Sequence, residues 1–140
     1  MPIDAIFGTT VDVLGKSLDL RTRSHNHIAA NIANAETPGY ASTRLSFEGE
    51  LKEALKGKGK GAAAVTHPRH IPLKGGGTAI ESVRGKVVET QTNSAGLDGN
   101  GVELESEMGK MVENQIMYNA SVQLLGKKFE ALKYAIKGSN

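Results

Sequence analysis

Apolar residues in the C-terminal part of the chain recur at alternating steps of four and three residues. The pattern has ten positions, and these are Leu104, Met108, Met111, Gln115, Tyr118, Val122, Leu125, Phe129, Leu132 and Ile136. A sustained period of 3.5 residues is typical of a helix that packs along its length in the manner of a coiled coil. The pattern therefore predicts a helix over about 102–137, which at 1.5 Å per residue would be roughly 50 Å long.

Residues at both ends of this segment agree with a helix. Asn100 is a suitable N-cap, and Glu103 follows three residues later in a variant of the capping box. Acidic residues are frequent in the first turns, whereas Lys133 and Lys137 lie near the end. Because the helix dipole favours negative charge at the N-terminus and positive charge at the C-terminus, this distribution supports the predicted direction and bounds.

A weaker pattern of the same kind lies near the N-terminus. Its positions are Val11, Leu14, Leu18, Arg21, His25, Ile28 and Ile32. Thr9 with Asp12 is a plausible cap, and Pro38 disfavours a helical conformation at the residue before it, so this helix should end near Ala35. The polar pair at the centre of the pattern has two interpretations. The simpler one is a partly exposed helix, and the other is a polar layer that sets register or partner choice.

The region between the two predicted helices is rich in glycine. Twelve of the 17 glycines lie between Gly39 and Gly101, which indicates loops and short elements. Within this region, 47–55 is predicted as a short helix, and 79–92 contains enough Val, Ile and Thr for one or two short strands. Alternating lysine and glycine over 56–61 indicates a solvated loop.

Together these elements predict a mainly α-helical fold. Long N- and C-terminal helices form a coiled-coil-like hairpin, and the glycine-rich middle holds loops, a short helix and short β-strands. The predicted divisions are 1–40 for the N-terminal helix and the residues that follow it, 41–101 for the middle region, and 102–140 for the C-terminal helix.

Composition and charge exclude several classes of protein. The 140 residues include 17 Lys and Arg against 15 Asp and Glu, and a net charge of +2 is too small to indicate nucleic-acid binding. The absence of cysteine excludes disulfides, thiolate zinc sites and cysteine nucleophiles. No run approaches the roughly 18 apolar residues of a membrane span. The N-terminal residues MPIDAIFGTTVDVLG lack the basic and apolar regions of a secretory signal peptide, so leaving the cytoplasm would require another route.

The middle region holds two weak candidates for chemistry. His67 and His70 are the best metal candidates, but no acidic residue between Glu53 and Glu81 offers a further ligand, so a polar loop is the better interpretation. Neither the lysine–glycine run nor the glycine triplet at 75–77 fits a phosphate-binding loop. The sequence shows no nucleophile with a base and an orienting group. We therefore expect a protein that is not an enzyme and has no cofactor, no metal and no small-molecule substrate.

Residues 31–40, with the sequence NIANAETPGY, form the most informative segment. Proline presets φ and glycine permits positive φ, so Pro38 and Gly39 predict a turn directly after the first helix. The segment resembles the ANxxTPGY signature shared by flagellar rod, hook and related axial proteins. The residues that match this family motif are Asn31, Asn34, Thr37, Pro38, Gly39 and Tyr40.

The resemblance extends to the C-terminal helix. LDGNGVELESEM over 97–108 and ENQIMYNASVQLLGKKFEALKYAI over 113–136 are similar to a proximal-rod member of this family. A sibling rod protein shares the first motif and is less similar in the C-terminal half, so it stays as an alternative. The middle region, over about 41–96, carries no family signature.

The resemblance implies a structural subunit of the bacterial flagellar basal body. Members of the family are exported unfolded by the flagellar type III export apparatus without a cleaved signal peptide, and they form a helical tube across the periplasm that transmits torque. The implied partners are further copies of the chain, other rod proteins and the basal adaptor FliE, with no nucleic acid.

Elementary physics agrees with self-assembly. Two long amphipathic helices in a small chain carry more apolar surface than they can cover for each other, and contacts with neighbours that do not close generate a filament. The predicted assembly seam consists of Val11, Leu14, Leu18, Ile28, Ile32, Leu104, Met108, Met111, Tyr118, Val122, Leu125, Phe129, Leu132 and Ile136. The rival hypothesis is a helical hairpin that presents the basic loop 56–60 to an anionic polymer or peptidoglycan.

Overall fold

A computed structural model describes residues 8–56, 79–90 and 102–138 of the chain. The elements in chain order are α1 (Thr9–Ala33), β1 (Thr43–Ser46), α2 (Glu48–Leu55), β2 (Lys86–Glu89) and α3 (Leu104–Lys137). The long helices α1 and α3 pack against each other. They run antiparallel, since Asn31 near the end of α1 contacts Glu107 near the start of α3. The predicted mainly helical fold, with long helices at both ends, is confirmed.

The first helix differs from its prediction at both ends by small amounts. α1 begins at Thr9 with Gly8 as its N-cap and no side-chain cap, so the predicted cap formed by Thr9 and Asp12 is wrong. Asp12 instead lies in the first turn, where its negative charge is favourable to the helix dipole. The helix ends at Ala33, two residues before the predicted end.

The last helix begins and ends close to its predicted bounds. Its N-cap is Glu103, with an extended backbone and no side-chain cap, so the predicted cap at Asn100 is wrong. Asn100 itself lies outside the described residues. Acidic residues occupy the first turn and Lys137 occupies the last, as the helix dipole favours.

In its described residues, the middle region contains a short helix and a two-stranded sheet. The helix α2 agrees with the prediction over 47–55, and β2 lies inside the predicted strand segment 79–92. β1 pairs antiparallel with β2 and places Leu45 opposite Val87. β1 was not predicted from the sequence, because its four residues include one apolar side chain and so show no alternation of apolar and polar positions. His67, His70, the glycine triplet at 75–77 and the lysine–glycine run beyond Lys56 lie outside the described residues.

A small apolar core joins the middle region to α1. The buried residues of this core are Leu20, Leu45, Phe47, Ala54, Ile80 and Val83. Gly85 lies at its edge with φ of +69°, and a Cβ at this position would come within 3.1 Å of the side chains of Leu45 and Phe47. Only glycine combines that φ with so close an approach. The core residues come from α1, β1, α2 and the segment before β2, and none comes from α3.

In the parts of the chain that the structure describes, the helices are too short or too polar to span a membrane. This finding includes α3, which is long enough but carries charged residues along its length.

Candidate functional site: the motif joint and the interface of the two long helices

Asn31, the first residue of the motif, lies at the junction of three elements. It is 1% exposed. Its Nδ2 donates to the carbonyl oxygen of Thr43 at 2.8 Å and to Glu107 Oε2 at 2.9 Å. Its Oδ1 accepts from the backbone N–H of Thr43 at 3.0 Å and from the hydroxyl of Tyr40 at 3.2 Å. Since an asparagine amide offers two donors and two acceptor sites, the side chain is fully satisfied while it joins α1 to β1 and α3.

Glu107 is the acidic partner in this joint and is 4% exposed. Its Oε1 accepts from Lys110 Nζ at 2.6 Å, three residues further along α3. A buried carboxylate is costly unless it is both paired and hydrogen-bonded. Here Lys110 supplies the opposite charge and Asn31 supplies a hydrogen bond. The interface between the helices therefore contains a satisfied charge close to the motif.

A second polar contact joins the helices further from the motif. Asn114 is buried, and its Nδ2 donates to the backbone carbonyl of Arg21 at 2.9 Å. Its Oδ1 lies 3.4 Å from Nη1 of Arg21. The Arg21 guanidinium lies 5.5 Å from the centre of the Phe47 ring, and its Nε is buried without a hydrogen-bond partner. Arg21 therefore belongs to a polar contact between α1 and α3, and His25 lines a neighbouring groove.

The rest of the motif forms the predicted turn. The side chain of Asn34 donates to the carbonyl oxygen one helical turn earlier at 2.8 Å and lies 3.3 Å from the Thr37 hydroxyl. The backbone N–H of Tyr40 donates to the carbonyl of Thr37 at 3.2 Å. Gly39 has φ of +74°, and the chain thus places proline and a positive-φ glycine at the two central positions, as a type II turn requires. The predicted turn at Pro38 and Gly39 is confirmed.

The buried side of α3 follows a heptad pattern that differs from the predicted one. Its buried and half-buried positions are Glu107, Met111, Asn114, Tyr118, Ser121, Leu125, Lys128 and Leu132. One line of this pattern is apolar and coincides with four predicted seam positions. The other line is polar and consists of Glu107, Asn114, Ser121 and Lys128. It occupies the buried side in place of a line of the predicted seam, which consists of Met108, Gln115, Val122 and Phe129.

Five predicted seam residues of α3 are exposed in this structure. Leu104, Met108, Val122, Phe129 and Ile136 are between 44% and 78% exposed. Met108, Val122 and Phe129 each directly follow a residue of the polar line, and Ile136 follows the next position that this line would reach. One residue along an α-helix corresponds to a rotation of about 100°, so these side chains lie about 100° around the helix from the polar line. These five residues are therefore largely uncovered in the single chain, and their place in the assembly seam stays a prediction. On α1, Ile28 is buried and Val11, Leu14, Leu18 and Ile32 are half-buried, while the fully buried Leu20 was missed.

Large apolar residues of α3 are exposed around most of the helix circumference, and we call this exposed surface the outer face. It consists of Leu104, Met108, Val112, Ile116, Met117, Val122, Leu124, Phe129, Tyr134 and Ile136. Single exposed apolar residues are ordinary, but so many on one helix favour an interaction surface. On the described residues, only Leu55 and Val87 are comparable large apolar side chains outside α3.

A polar groove lies beside the joint. It has a volume of about 370 Å³, and charges of both signs line it, including Arg44, Lys110, Glu48 and Glu113. Over the described ranges, no three His, Asp or Glu side chains lie close enough together to hold a metal ion. What this arrangement can do is to position α1, β1 and α3 relative to one another.

No family model matches the chain. The curated relatives that align over nearly the whole chain include two proteins that are each named flagellar basal body rod protein FlgB. The protein of Salmonella typhimurium is 30% identical over 129 residues, which cover 89% of this chain and 91% of the relative. That of Cereibacter sphaeroides is 36% identical over 132 residues, which cover 94% and 97%.

A third relative, with the same name, aligns over a shorter stretch. The protein of Proteus mirabilis is 38% identical over 65 residues, or 44% of this chain. The aligned part spans about half of that relative, 47% of its length.

Proposed function

The chain belongs to the FlgB family of flagellar basal body rod proteins, and on this premise we propose that it is a structural subunit of the proximal rod that self-assembles through its terminal helices. Relatives that align over nearly the whole chain carry the FlgB name, so the sibling rod protein FlgC is not favoured. A structural subunit of this kind acts by mechanical contact and not as an enzyme.

The outer face of α3 is the observation that supports this proposal. Its ten large apolar side chains are exposed, while one of the two lines on the buried side of α3 is polar. Burying one such side chain contributes about 1.5–3 kcal/mol, so covering this face by neighbouring subunits would supply the main driving force for assembly. Contacts of this kind that do not close on themselves generate a tube or filament.

The predicted seam then has two parts with different roles. The part exposed here, Leu104, Met108, Val122, Phe129 and Ile136, would meet neighbouring subunits. The remaining part holds the two helices of one subunit together, and it consists of Val11, Leu14, Leu18, Ile28, Ile32, Met111, Tyr118, Leu125 and Leu132.

The proposed partners follow from the family. They are further copies of the chain, other rod proteins, the basal adaptor FliE and the flagellar type III export apparatus, which would deliver the chain to the periplasmic rod without a cleaved signal peptide. Among the described residues, the apolar core has six buried members, which is consistent with a chain that unfolds readily for export.

The experiment replaces one residue of the outer face and one polar neighbour by the same charged residue. Val122→Asp places a carboxylate in the proposed contact, whereas Gln123→Asp places it on an exposed position of the same helix. Each variant replaces the native copy in the bacterium, and motility, isolated basal bodies and the helical content of the purified chain are measured.

We expect Val122→Asp to abolish rod assembly without loss of helical content, because residue 122 is already exposed in the single subunit. Gln123→Asp should assemble normally. Normal rods with Val122→Asp, or equal failure of both variants, would contradict the proposed role of the outer face.

A further inference from the structure

The apolar line of the buried side of α3 cannot by itself define one alignment of the two long helices. Met111, Tyr118, Leu125 and Leu132 recur every seven residues. A shift of α3 by one heptad would again place an apolar residue of this line at most of the same positions along α1. Such a shift would move α3 by about 10 Å along its axis.

The polar line of the same side differs at every step, and two of its members bond to α1. Asn31 offers an N–H to Glu107, whose carboxylate accepts it. The Asn114 amide bonds to two groups of Arg21. Its N–H donates to the Arg21 carbonyl oxygen, and its oxygen accepts from the Arg21 guanidinium. Each position on α1 therefore matches the chemistry of its present partner.

A heptad shift in one direction would place Glu107 at the level of Arg21. The Glu107 carboxylate can accept a hydrogen bond from the Arg21 guanidinium, but it has no N–H to donate to the Arg21 carbonyl oxygen. Asn31 would at the same time lose its acceptor on α3. A shift in the other direction would place Asn114 beside Asn31. Glu107 and its ion pair with Lys110 would then lie away from Asn31. The Nδ2 of Asn114 would also lose its hydrogen bond to the carbonyl oxygen of Arg21.

We propose that the contacts of Asn31 with Glu107 and of Arg21 with Asn114 form a register lock, which selects one antiparallel alignment of α1 and α3. Polar contacts in helical interfaces are known to specify register at the expense of stability. The lock also ties the turn motif to α3, because Asn31 holds Tyr40 and Thr43 with the same amide. It thereby fixes how far the outer face of α3 lies from the motif.

The register can be measured directly, since the chain contains no cysteine. Spin labels attached at Asn26→Cys on α1 and Glu130→Cys on α3 occupy exposed positions. These positions are well separated along the hairpin axis, so a heptad shift changes their distance by about 10 Å. Double electron–electron resonance on the full chain, mixed with an excess of unlabelled chain, reports only distances within one subunit and does not depend on rod assembly.

We expect one distance in the labelled parent chain. Glu107→Leu combined with Asn114→Leu should keep the helical content and add a second distance population displaced by about 10 Å. Three control variants should keep the single distance. Glu107→Gln retains an acceptor for Asn31, Lys110→Gln removes only the ion pair, and Ser121→Ala changes a position of the polar line that bonds within its own helix.

Several outcomes would overturn the register lock. A single unchanged distance in the double variant would show that apolar packing alone selects the register. Loss of helical content in the double variant would show that these contacts hold the fold and do not select an alignment. Two distances in the parent chain, or an equal shift in Glu107→Gln, would also contradict it.

Discussion

Helix α1 makes two interfaces of opposite character. On one side, Leu20 enters an apolar core with Phe47 and Val83, and these three side chains are each at most 2% exposed. On the other side, α1 meets α3 through Asn31 and Arg21, and their polar partners on α3, Glu107 and Asn114, are buried. The first interface is that of an ordinary small domain, whereas the second specifies position more than it contributes stability.

The outer face of α3 shows how this difference between the two interfaces bears on the stability of α3. The helix buries Glu107 and Asn114 and exposes Met108 and Phe129, which is the reverse of a helix that belongs to a self-sufficient hairpin. We infer that α1 with the described part of the middle region is the stable part of the single subunit, and that α3 reaches its full stability when neighbours cover its outer face.

The largest effect on the free energy of unfolding is expected in the apolar core. Phe47→Ala removes a side chain that is 2% exposed, and such truncations cost about 3–5 kcal/mol. Urea denaturation should show this loss, while Leu55→Ala, at an exposed position of α2, should change stability little. A similar loss for both variants would show that the cluster is not the core of the subunit.

The interface between the long helices is tested by Leu125→Asp. Leu125 is half-buried in the middle of the buried side of α3, and an unpaired carboxylate there costs several kcal/mol. We expect rod assembly to be abolished. Export should continue, because the proposed export route takes an unfolded chain.

Motility assays and a secretion blot of the Leu125→Asp variant check both expectations. Gln123→Asp is again the matched control, since it adds the same charge at an exposed position two residues away. Normal rods with Leu125→Asp would mean that this position does not hold the helices together.

The turn of the motif should show an intermediate effect. Gly39 has φ of +74° with open space around the position of a Cβ, so substitutions there are limited by backbone strain and not by contact. Gly39→Val should destabilise the chain by about 1–3 kcal/mol and impair assembly, because a β-branched residue rarely adopts positive φ.

Gly39→Asn is the matched control for this turn, since asparagine tolerates the left-handed region better than valine does. Thermal unfolding and motility compare the two variants. Unchanged motility with valine at position 39 would show that the turn adapts to another backbone conformation.

The comparison between the two interfaces is sharpened by hydrogen exchange on the dilute single subunit. Long helices depend on tertiary contacts more than on intrinsic propensity, and Gly109 and Gly126 each weaken α3 by about 1 kcal/mol relative to alanine. We expect α3 to be less protected than α1, and the purified chain to be less helical by circular dichroism than the assembled subunit. Full protection of both helices in the dilute chain would refute this view.

The three helices were predicted from the sequence because each leaves a local signal, whereas β1 was missed. The seven-residue period marks α3, and Pro38 marks the end of α1. The buried side of α3 could not be predicted in the same way, because the periodicity argument assigns apolar residues to the inside. Periodicity therefore predicts that Met108 lies in the seam, whereas the buried side chain is that of Glu107, one residue earlier. One sequence signal for the polar interface is the pair Arg21 and His25, which the sequence offers as a polar layer in the first helix. Another is Asn31, an amide between Ile28 and Ile32.

The smallest effect is expected from shortening the lysine–glycine segment. Each doubling of the length of a flexible loop changes its closure free energy by only about 0.6 kcal/mol, so deletion of 57–60 should leave rod assembly and motility almost unchanged. Replacing Lys58 and Lys60 by serine keeps the length and removes the charge, and this variant should also assemble. The rival hypothesis of a basic loop that binds an anionic polymer predicts instead that both changes abolish function, with a salt-dependent affinity of the parent chain for that polymer. If the loop variants lost motility while Leu125→Asp kept normal rods, the functional surface would be the loop and not the helices.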